Sequence, residues 1–485
     1  MSETLESRGL EPRTRRWIDF EQTLNERLHN DAVYPPIDQR SNTVRQHLYP
    51  ERRATWNQTV VWIPDGLARR YGPLDATLRR ALGVRPRAGL APLFLHPQPL
   101  NAHGRLFRTY RGQPVPGLTA TSTSSYRSVV AWRQNGAGSP AILKLSIGAV
   151  IGRIHRALRE NQVARGVVIS SLFDTIPESD RERLGLDWFA EPAGMAETAS
   201  RHGWLVRRLP RLLSEPGTTS LLPAFSLISR RGTRAPILVD LIKRSRRRAE
   251  AYVMDCLLAP YVSALAYLLF EQGLQYEGHP QNVLLEVDAR DQPTGRLVLR
   301  DLSDTTVNIA FRVAKGRSLP VLAPGCLPRR APFSLAANAA DFSANWGRSR
   351  IYRGLDTVET YGLRNFVWVV NTSIARFVPT YDSAAVERRY LELWQQAAID
   401  HLGVRPLFRQ RPAGLATDEA VAHYLRHVDW RGLGAVKAGL PNTAAPLILR
   451  GRMRRQRGTV YERVRCDWGD IFMSDGLPGF FRPVY

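Results

Sequence analysis

The segment Tyr276-Glu277-Gly278-His279-Pro280-Gln281-Asn282 packs a carboxylate, an imidazole and two amides into one turn, and an apolar run over residues 283–285 follows it. A second apolar run, residues 297–299, ends on Arg300-Asp301. Asn282 and Asp301 offer the hard oxygens that suit Mg²⁺, which takes one or two protein ligands and leaves the rest of its shell to phosphates and water. A β-hairpin with a polar mouth would show the same pattern, so the segment needs support from elsewhere. Upstream lies a Ser/Thr-rich stretch from Thr119 to Ser125, continued by Tyr126-Arg127-Ser128. Then come Ile142-Leu143-Lys144-Leu145 and Ile151-Gly152-Arg153-Ile154-His155-Arg156. Lys144 stands out because the only lysines are Lys144, Lys243, Lys315 and Lys437. A lysine inside an apolar run is not a routine surface replacement, although a strand-end lysine that snorkels to water reads the same way.

With Leu93-Phe94-Leu95-His96-Pro97-Gln98 placed before them, these blocks form an ordered set. In order and rough spacing the set resembles the IucA/IucC-type synthetases of template-independent siderophore assembly. That family runs His-Pro-Trp-Gln, Ser-x-Arg-Thr, a strand Lys, Ile-Thr-x-x-x-Arg, Glu-x-His-x-Gln-Asn and Arg-Asp. The resemblance covers about residues 91–305, and Val436-Lys437-Ala438-Gly439-Leu440 looks like the family's late Lys-Ala segment. There are departures. Gly152 stands where the family has Thr, Ser128 also replaces a Thr, and His96-Pro97-Gln98-Pro99 lacks the Trp. Leu302-Ser303-Asp304 follows Arg300-Asp301 where the family has an acidic residue and a Gly. The chain ahead of Ser125 is short for the family.

The resemblance implies ATP-dependent activation of a carboxylate, usually of citrate or a related polycarboxylic acid. The acid attacks the α-phosphate, pyrophosphate leaves, and an amine or hydroxyl then displaces AMP. ATP and Mg²⁺ are the implied cofactors. For the nucleotide, Lys144 would act as a point charge and Arg127 as a planar fork. Ser125 and Ser128 would add hydroxyls, with His279 and Asn282 completing the ATP contacts. Arg156 matches the family's Arg and would hold the acid's carboxylate with Gln281, His279 and Ser125. Glu277 would take a proton from the incoming amine or orient a donor. The catalytic set is therefore Lys144, His279, Glu277 and Arg127, and the metal pair is Asn282 and Asp301. Dimers are common in the family, which leaves a homodimer open.

Two other classes remain. A kinase-like small-molecule phosphotransferase also carries a His…Asn pair and a later metal-binding Asp. The loop here lacks the Asp expected ahead of the Asn, and neither a Gly-rich phosphate loop nor an Asp-Phe-Gly is present. The formal charge of +24 suggests nucleic acid. However, nearly all of it is Arg spread along the whole chain, and citrate and ATP are anions too, so a basic nucleic-acid-binding protein is the weaker alternative.

The 485 residues are too many for one simple core, and 44% hydrophobic content is ordinary for a globular protein. Cys256, Cys326 and Cys466 form no Cys-x-x-Cys pair, which implies neither a disulfide framework nor a zinc site. With a polar N-terminus, the expected location is the cytoplasm. Residues 252–270 are nearly long enough to span a membrane, but Asp255 and Pro260 interrupt them, so a buried helix is expected and no membrane.

The elements that must position the site read as strands at 92–95, 129–132, 141–147, 167–169, 283–288 and 296–301. Helices are expected at 78–82, 151–160, 249–272 with Gly273 at its end, 360–377, and 384–402 behind Asp382-Ser383. Tyr390 and Trp394 are expected in the core. The fold class is α+β, shaped as a cupped hand, with a mainly antiparallel central sheet and a helical C-terminal domain. The expected division is a short fingers-like region at 1–90, a palm that binds ATP and carboxylate at 91–305 and a thumb-like domain at 306–485.

Overall fold

The structure, a computed structural model, describes residues 9–24, 46–98, 110, 112–136, 138–147, 150–151, 154–198, 202–214, 217–229, 235–307, 317 and 356–402. Gly152, Cys326, Cys466 and the 436–440 segment with Lys437 lie outside these residues.

Chain order begins with helix α1 (Pro12–Thr23), strands β1 (Thr55–Pro64) and β2 (Ala68–Tyr71), helix α2 (Leu74–Leu82), and strands β3 (Leu90–Leu95), β4 (Gln113–Ser122), β5 (Ser128–Arg133) and β6 (Ala141–Leu145). Two short strands, β7 (Val150–Ile151) and β8 (Ile154–His155), lead to helix α3 (Glu160–Phe173). Next come β9 (Leu186–Trp188), β10 (Ala193–Glu197), β11 (Gly203–Arg208) and β12 (Ser220–Pro223). Helix α4 (Ala249–Phe270) precedes β13 (Leu274–Gln275), β14 (Val283–Val287), β15 (Pro293–Leu299) and β16 (Thr306–Val307), and helix α5 (Ser383–Leu402) ends the described chain.

The large sheet runs β2-β10-β11-β6-β5-β4-β1-β3, antiparallel throughout. A second sheet runs β12-β14-β15-β9, with only the β15–β9 pair parallel. The α+β class with an antiparallel central sheet is borne out.

Period-2 alternation decides which residues meet. One face of the large sheet packs Leu143, Leu145 and Val206 against Leu74, Leu78 and Leu82 of α2. The other face turns Val130, Trp132 and Ile142 toward Leu221, Leu284 and Val298 of the second sheet, with Trp17 and Ile18 of α1 wedged between. Val283, Leu285, Leu297 and Leu299 face away, onto α4 and the inner side of α3 and α5. Lys144 lies two residues beyond Ile142, and Arg300 lies two beyond Val298. The same alternation therefore carries both to the seam between the sheets.

Two local expectations are corrected. Residues 167–169, Val-Val-Ile, lie within α3 and not in a strand. Their β-branched character is only a weak preference. The helix is buried on two sides, with Val163, Ala164 and Val167 packed near Leu205 and Ile169, Leu172 and Phe173 in the core around α4, and tertiary packing wins. The helix expected at 151–160 begins only at Glu160. The Ser146 hydroxyl accepts the Leu158 N–H at 2.7 Å, and the Ile147 N–H donates to the Arg156 carbonyl at 3.2 Å. These bonds keep the segment extended along the end of β6.

Helix α4 passes through a π-helical turn at Met254–Leu258, directly before Pro260. Proline has no N–H and crowds the preceding turn, and an inserted residue accommodates it. Helix α4 is long and apolar enough to cross a membrane, but 72% of its apolar window is buried inside the protein, as a core helix should be. Gly273 follows with φ +60° in the left-handed region. At the N-terminus of α5, Asp382 accepts the Ala385 N–H at 2.9 Å, and Tyr390 and Trp394 are fully buried.

Candidate active site

Lys144 is 2% exposed on β6, between Ser128 of β5 and Leu205 of β11. Its ammonium is held by the Asp301 carboxylate and lies 3.2 Å from the Ser303 hydroxyl. Arg207 of β11 donates Nη2 to the same Asp301 oxygen at 2.8 Å and Nε to Glu191 at 2.7 Å. Lys144 and Asp301 are 157 residues apart in sequence and form the centre of the site. Burial pushes the Lys144 ammonium's pKa down, partly offset by Asp301. Burial pushes the Asp301 carboxyl up, but Lys144, Arg207 and Arg127 together hold it well below the usual carboxylate range. Asp301 itself has φ +62°, a left-handed conformation that costs energy in a non-glycine residue and clusters at functional sites.

The turn carrying Glu277 to Asn282 reaches this centre through backbone bonds. The Arg300 N–H donates to the Asn282 carbonyl at 3.0 Å, and the Asn282 N–H closes a turn onto the His279 carbonyl at 2.9 Å. The Tyr276 hydroxyl lies 2.7 Å from the Asn282 carbonyl and 2.5 Å from the Arg300 carbonyl. It fixes the spacing of the two segments. Asn282 donates its side-chain nitrogen to the Glu277 carbonyl at 3.1 Å, which leaves its amide oxygen as a potential ligand. The Glu277 carboxylate accepts the Tyr361 hydroxyl at 3.0 Å, and the His279 ring lies 6.3 Å from the Tyr361 ring. Gln281 gives its backbone carbonyl to Arg300 Nε at 2.6 Å.

The Ser/Thr stretch forms the tight β4–β5 turn. The N–H and hydroxyl of Thr123 both donate to the Ser128 carbonyl, at 2.9 and 2.8 Å. Tyr126 sits in the left-handed region with φ +57°. His96 and Gln98 stabilise it there. His96 Nδ1 accepts the Gln98 N–H at 3.0 Å, so Nε2 carries the proton and donates to the Tyr126 carbonyl at 3.1 Å. The Tyr126 hydroxyl donates to Gln98 Oε1 at 2.8 Å. Burial lowers the His96 pKa to about 3, so the ring stays neutral. The His-Pro-Gln block thus supports the loop. Arg127 donates Nη1 to the Arg156 carbonyl at 3.3 Å, so the loop and the 156 segment meet. Ser128 is 3% exposed at the start of β5, and Ser125 is half-buried in the turn.

Lys144, Asp301, Arg127, Asn282 and the Ser125–Ser128 loop are therefore brought to one seam, which Arg156 joins through its backbone carbonyl. The sequence reading missed Arg207, Glu191, Ser303 and Glu21. Arg207 ends the apolar run Trp204-Leu205-Val206 and is followed by Arg208, so it carries little signal in so Arg-rich a chain. A separate cavity of about 630 Å³ opens beside Val206 and Arg208, whose side chains point to the opposite face of β11 from Arg207. No residue of the seam lines it.

Residues 37–229 match the IucA/IucC family. The resemblance read from the motifs is borne out. The match begins after α1 and ends before the 276–301 segment. Among solved structures, the fold is similar to petrobactin biosynthesis protein AsbB from Bacillus anthracis str. Sterne. That likeness has a TM-score of 0.57 and 12% identity over 80% of this chain and 66% of that one. It is also similar to the ATP-bound aerobactin synthetase IucA from a hypervirulent pathotype of Klebsiella pneumoniae. There the TM-score is 0.58 and the identity 16% over 82% of this chain and 71% of that one. This chain thus spans about two thirds of the length of AsbB, and at such identities the likeness is one of fold. No curated protein sequence matches the chain.

Proposed function

We propose that this protein is an ATP-dependent siderophore synthetase of the IucA/IucC type. It adenylates a carboxylate of citrate or a related polycarboxylic acid and joins it to an amine or hydroxyl. The carrying observation is the convergence of Lys144, Arg207 and Arg127 on Asp301 beside the Asn282 turn, in a fold shared with an ATP-bound synthetase. One carboxylate oxygen of the acid attacks the α-phosphorus of ATP, and the bond to the β-phosphate's bridging oxygen breaks, releasing pyrophosphate. The nucleophile's lone pair then attacks the acyl carbon, AMP leaves with the bonding pair, and the nucleophile loses a proton.

Lys144 and Arg127 stabilise charge that grows on the phosphates. Ser125, Ser128 and His279 add hydrogen bonds to the nucleotide. Arg156, Gln281 and His279 hold the acid, and Glu277 takes the amine proton. Asn282 and Asp301 fit Mg²⁺, because one amide oxygen and one carboxylate form a hard donor pair of the number this ion accepts from protein. Bound there, the ion would neutralise triphosphate charge. The same reading places the enzyme in the cytoplasm, acting on small molecules, with a homodimer as its proposed assembly.

Product analysis tests the proposal. The protein is incubated with ATP, Mg²⁺, hydroxylamine and a panel of polycarboxylic acids. Acid-dependent AMP, pyrophosphate and hydroxamate are the expected products. Acid-dependent ADP would replace the reading with a phosphotransferase, and absence of any nucleotide turnover with every acid would refute it.

A further inference from the structure

Helix α1 lies outside the family-matched residues, yet its last turn is bonded to the site. Glu21 is fully buried. Its Oε1 accepts Arg300 Nη1 at 2.5 Å and Trp17 Nε1 at 3.0 Å. Its Oε2 accepts the Ser124 hydroxyl at 2.5 Å and the Ser124 N–H at 3.2 Å. Arg300 carries the link onward through Nε to the Gln281 carbonyl at 2.6 Å. One residue along, Gln22 Nε2 donates to Thr121 Oγ1 at 2.8 Å and to the Ser122 carbonyl at 3.1 Å.

We infer that Glu21 is a positioning residue for the nucleotide site. One carboxylate sets the Ser124–Arg127 loop against Arg300, and therefore against Asp301 and the Gln281-Asn282 turn. Glu21 touches no substrate; it acts through Ser124 and Arg300. A buried ion pair is by itself weak evidence for stability, since a well-packed apolar replacement often does as well. What an apolar side chain cannot do is accept a loop N–H and a strand-end guanidinium at once. Those two donors belong to the two segments whose spacing phosphate binding requires. Catalytic groups displaced by a fraction of an ångström lose much of their effect. This inference rests on the proposed adenylating activity for its rate arm only.

The experiment compares wild type with Glu21→Gln, which keeps length and removes charge, and with Thr23→Ala as a control on the same helix. Among the described residues, the Thr23 hydroxyl donates to the Asp19 carbonyl of its own helix, at 2.7 Å. Hydrogen exchange is followed in peptides covering residues 121–127 and, for reference, β10 and β11. Acid-dependent pyrophosphate release is measured alongside. In Glu21→Gln the loop amides should exchange roughly tenfold faster with β10 and β11 unchanged. Its kcat should fall about ten- to hundredfold, with ATP KM rising far less. Thr23→Ala should match wild type in both readouts.

If Glu21→Gln fails to fold, Ser124→Ala removes the hydroxyl that donates to Glu21 with no charge removed, and a several-fold increase in loop exchange is expected. Unchanged loop exchange, or equal acceleration in the loop, β10 and β11, would overturn the inference by making Glu21 irrelevant or merely stabilising. A full rate in Glu21→Gln would overturn it as well. If wild type itself releases no pyrophosphate, the proposed function fails, and the exchange arm alone decides whether Glu21 sets the loop.

Discussion

Acidification from pH 7 to pH 5 should weaken this protein through one histidine in particular. His96 is 3% exposed, with Nδ1 committed as an acceptor from Gln98 and Nε2–H as a donor to Tyr126. Protonating Nδ1 would set two donors against each other in a dry site. Burial lowers the ring's pKa from 6.5 to about 3. The unfolded chain binds a proton below its own pKa, near 6.5, while the folded chain does not. The stability that neutral His96 contributes is therefore complete above about pH 6.5 and is lost progressively as pH falls toward about 3. Each pH unit in that window is about 1.4 kcal/mol, so the loss by pH 5 is about 2 kcal/mol. The assay is urea unfolding at pH 7 and pH 5, followed by tryptophan fluorescence, for wild type and His96→Gln. The variant keeps an acceptor and a donor but cannot titrate. It should start less stable at pH 7 and lose about 2 kcal/mol less than wild type on acidification. The other histidines contribute to both proteins and cancel in the difference. Identical pH dependence in the two would refute the reasoning, because His96 would then be titrating freely.

The other expectations concern the seam. Lys144→Ala and Asp301→Ala should each reduce acid-dependent pyrophosphate release by about 10²-fold or more while circular dichroism remains that of folded protein; full activity in both would remove the site assignment. Arg207→Met strips the ion-pair partner from buried Glu191 and one of the two cations ion-paired with Asp301. It should cost about 3–5 kcal/mol in urea unfolding, and a loss below 1 kcal/mol would show that the pair is not desolvated. Tyr276→Phe removes the hydroxyl between the Asn282 and Arg300 carbonyls and should cost about 1–3 kcal/mol, with a slower pyrophosphate release than that loss alone explains. ATP affinity, read by calorimetry, should fall less than tenfold between about 0.05 and 0.5 M salt, because screening acts mainly on exposed charges. A slope as steep as that of non-specific duplex binding would favour the nucleic-acid reading.

The chemistry-bearing residues were legible because their types are costly in their surroundings. A lysine inside an apolar run and an Asn–Asp pair at strand ends are rarely placed there by chance, and β6, β14 and β15 carry them to one seam. Strand identity was legible where a short apolar run is bounded by polar or turn residues, as in β5 and β14. It failed at residues 167–169, where Val and Ile suggested a strand but the segment lies in a helix buried on two faces. It failed again at 151–160, where the Ser146 hydroxyl and the Ile147 N–H hold the segment from outside it. No local pattern can announce such a bond. Glu21 was illegible for the same reason. Its partner Arg300 lies 279 residues away, and a Glu in a Trp-Ile-Asp-Phe-Glu helix reads as its solvated face. Arg207 was hidden by composition, since an arginine is the commonest basic residue everywhere in this chain.

The chain's charge of +24 and the charge of the seam are separate matters. Surface arginines attract any anion and are screened by salt. At the seam, Lys144, Arg207 and Arg127 face Asp301 and Glu191, three cations against two carboxylates. Lys144 and Arg207 are almost fully buried, so their desolvation is offset only by partners of opposite sign. Burial lowers the pKa of the Lys144 ammonium, and the Asp301 carboxylate opposes that shift. In the proposed function a phosphate placed against Lys144 and Arg127 would meet a lysine that is almost fully desolvated. The proposed nucleotide affinity thus rests on a few buried side chains. The arginine excess along the remaining surface is not needed for it, and this is why composition alone could not distinguish a nucleotide enzyme from a nucleic-acid binder.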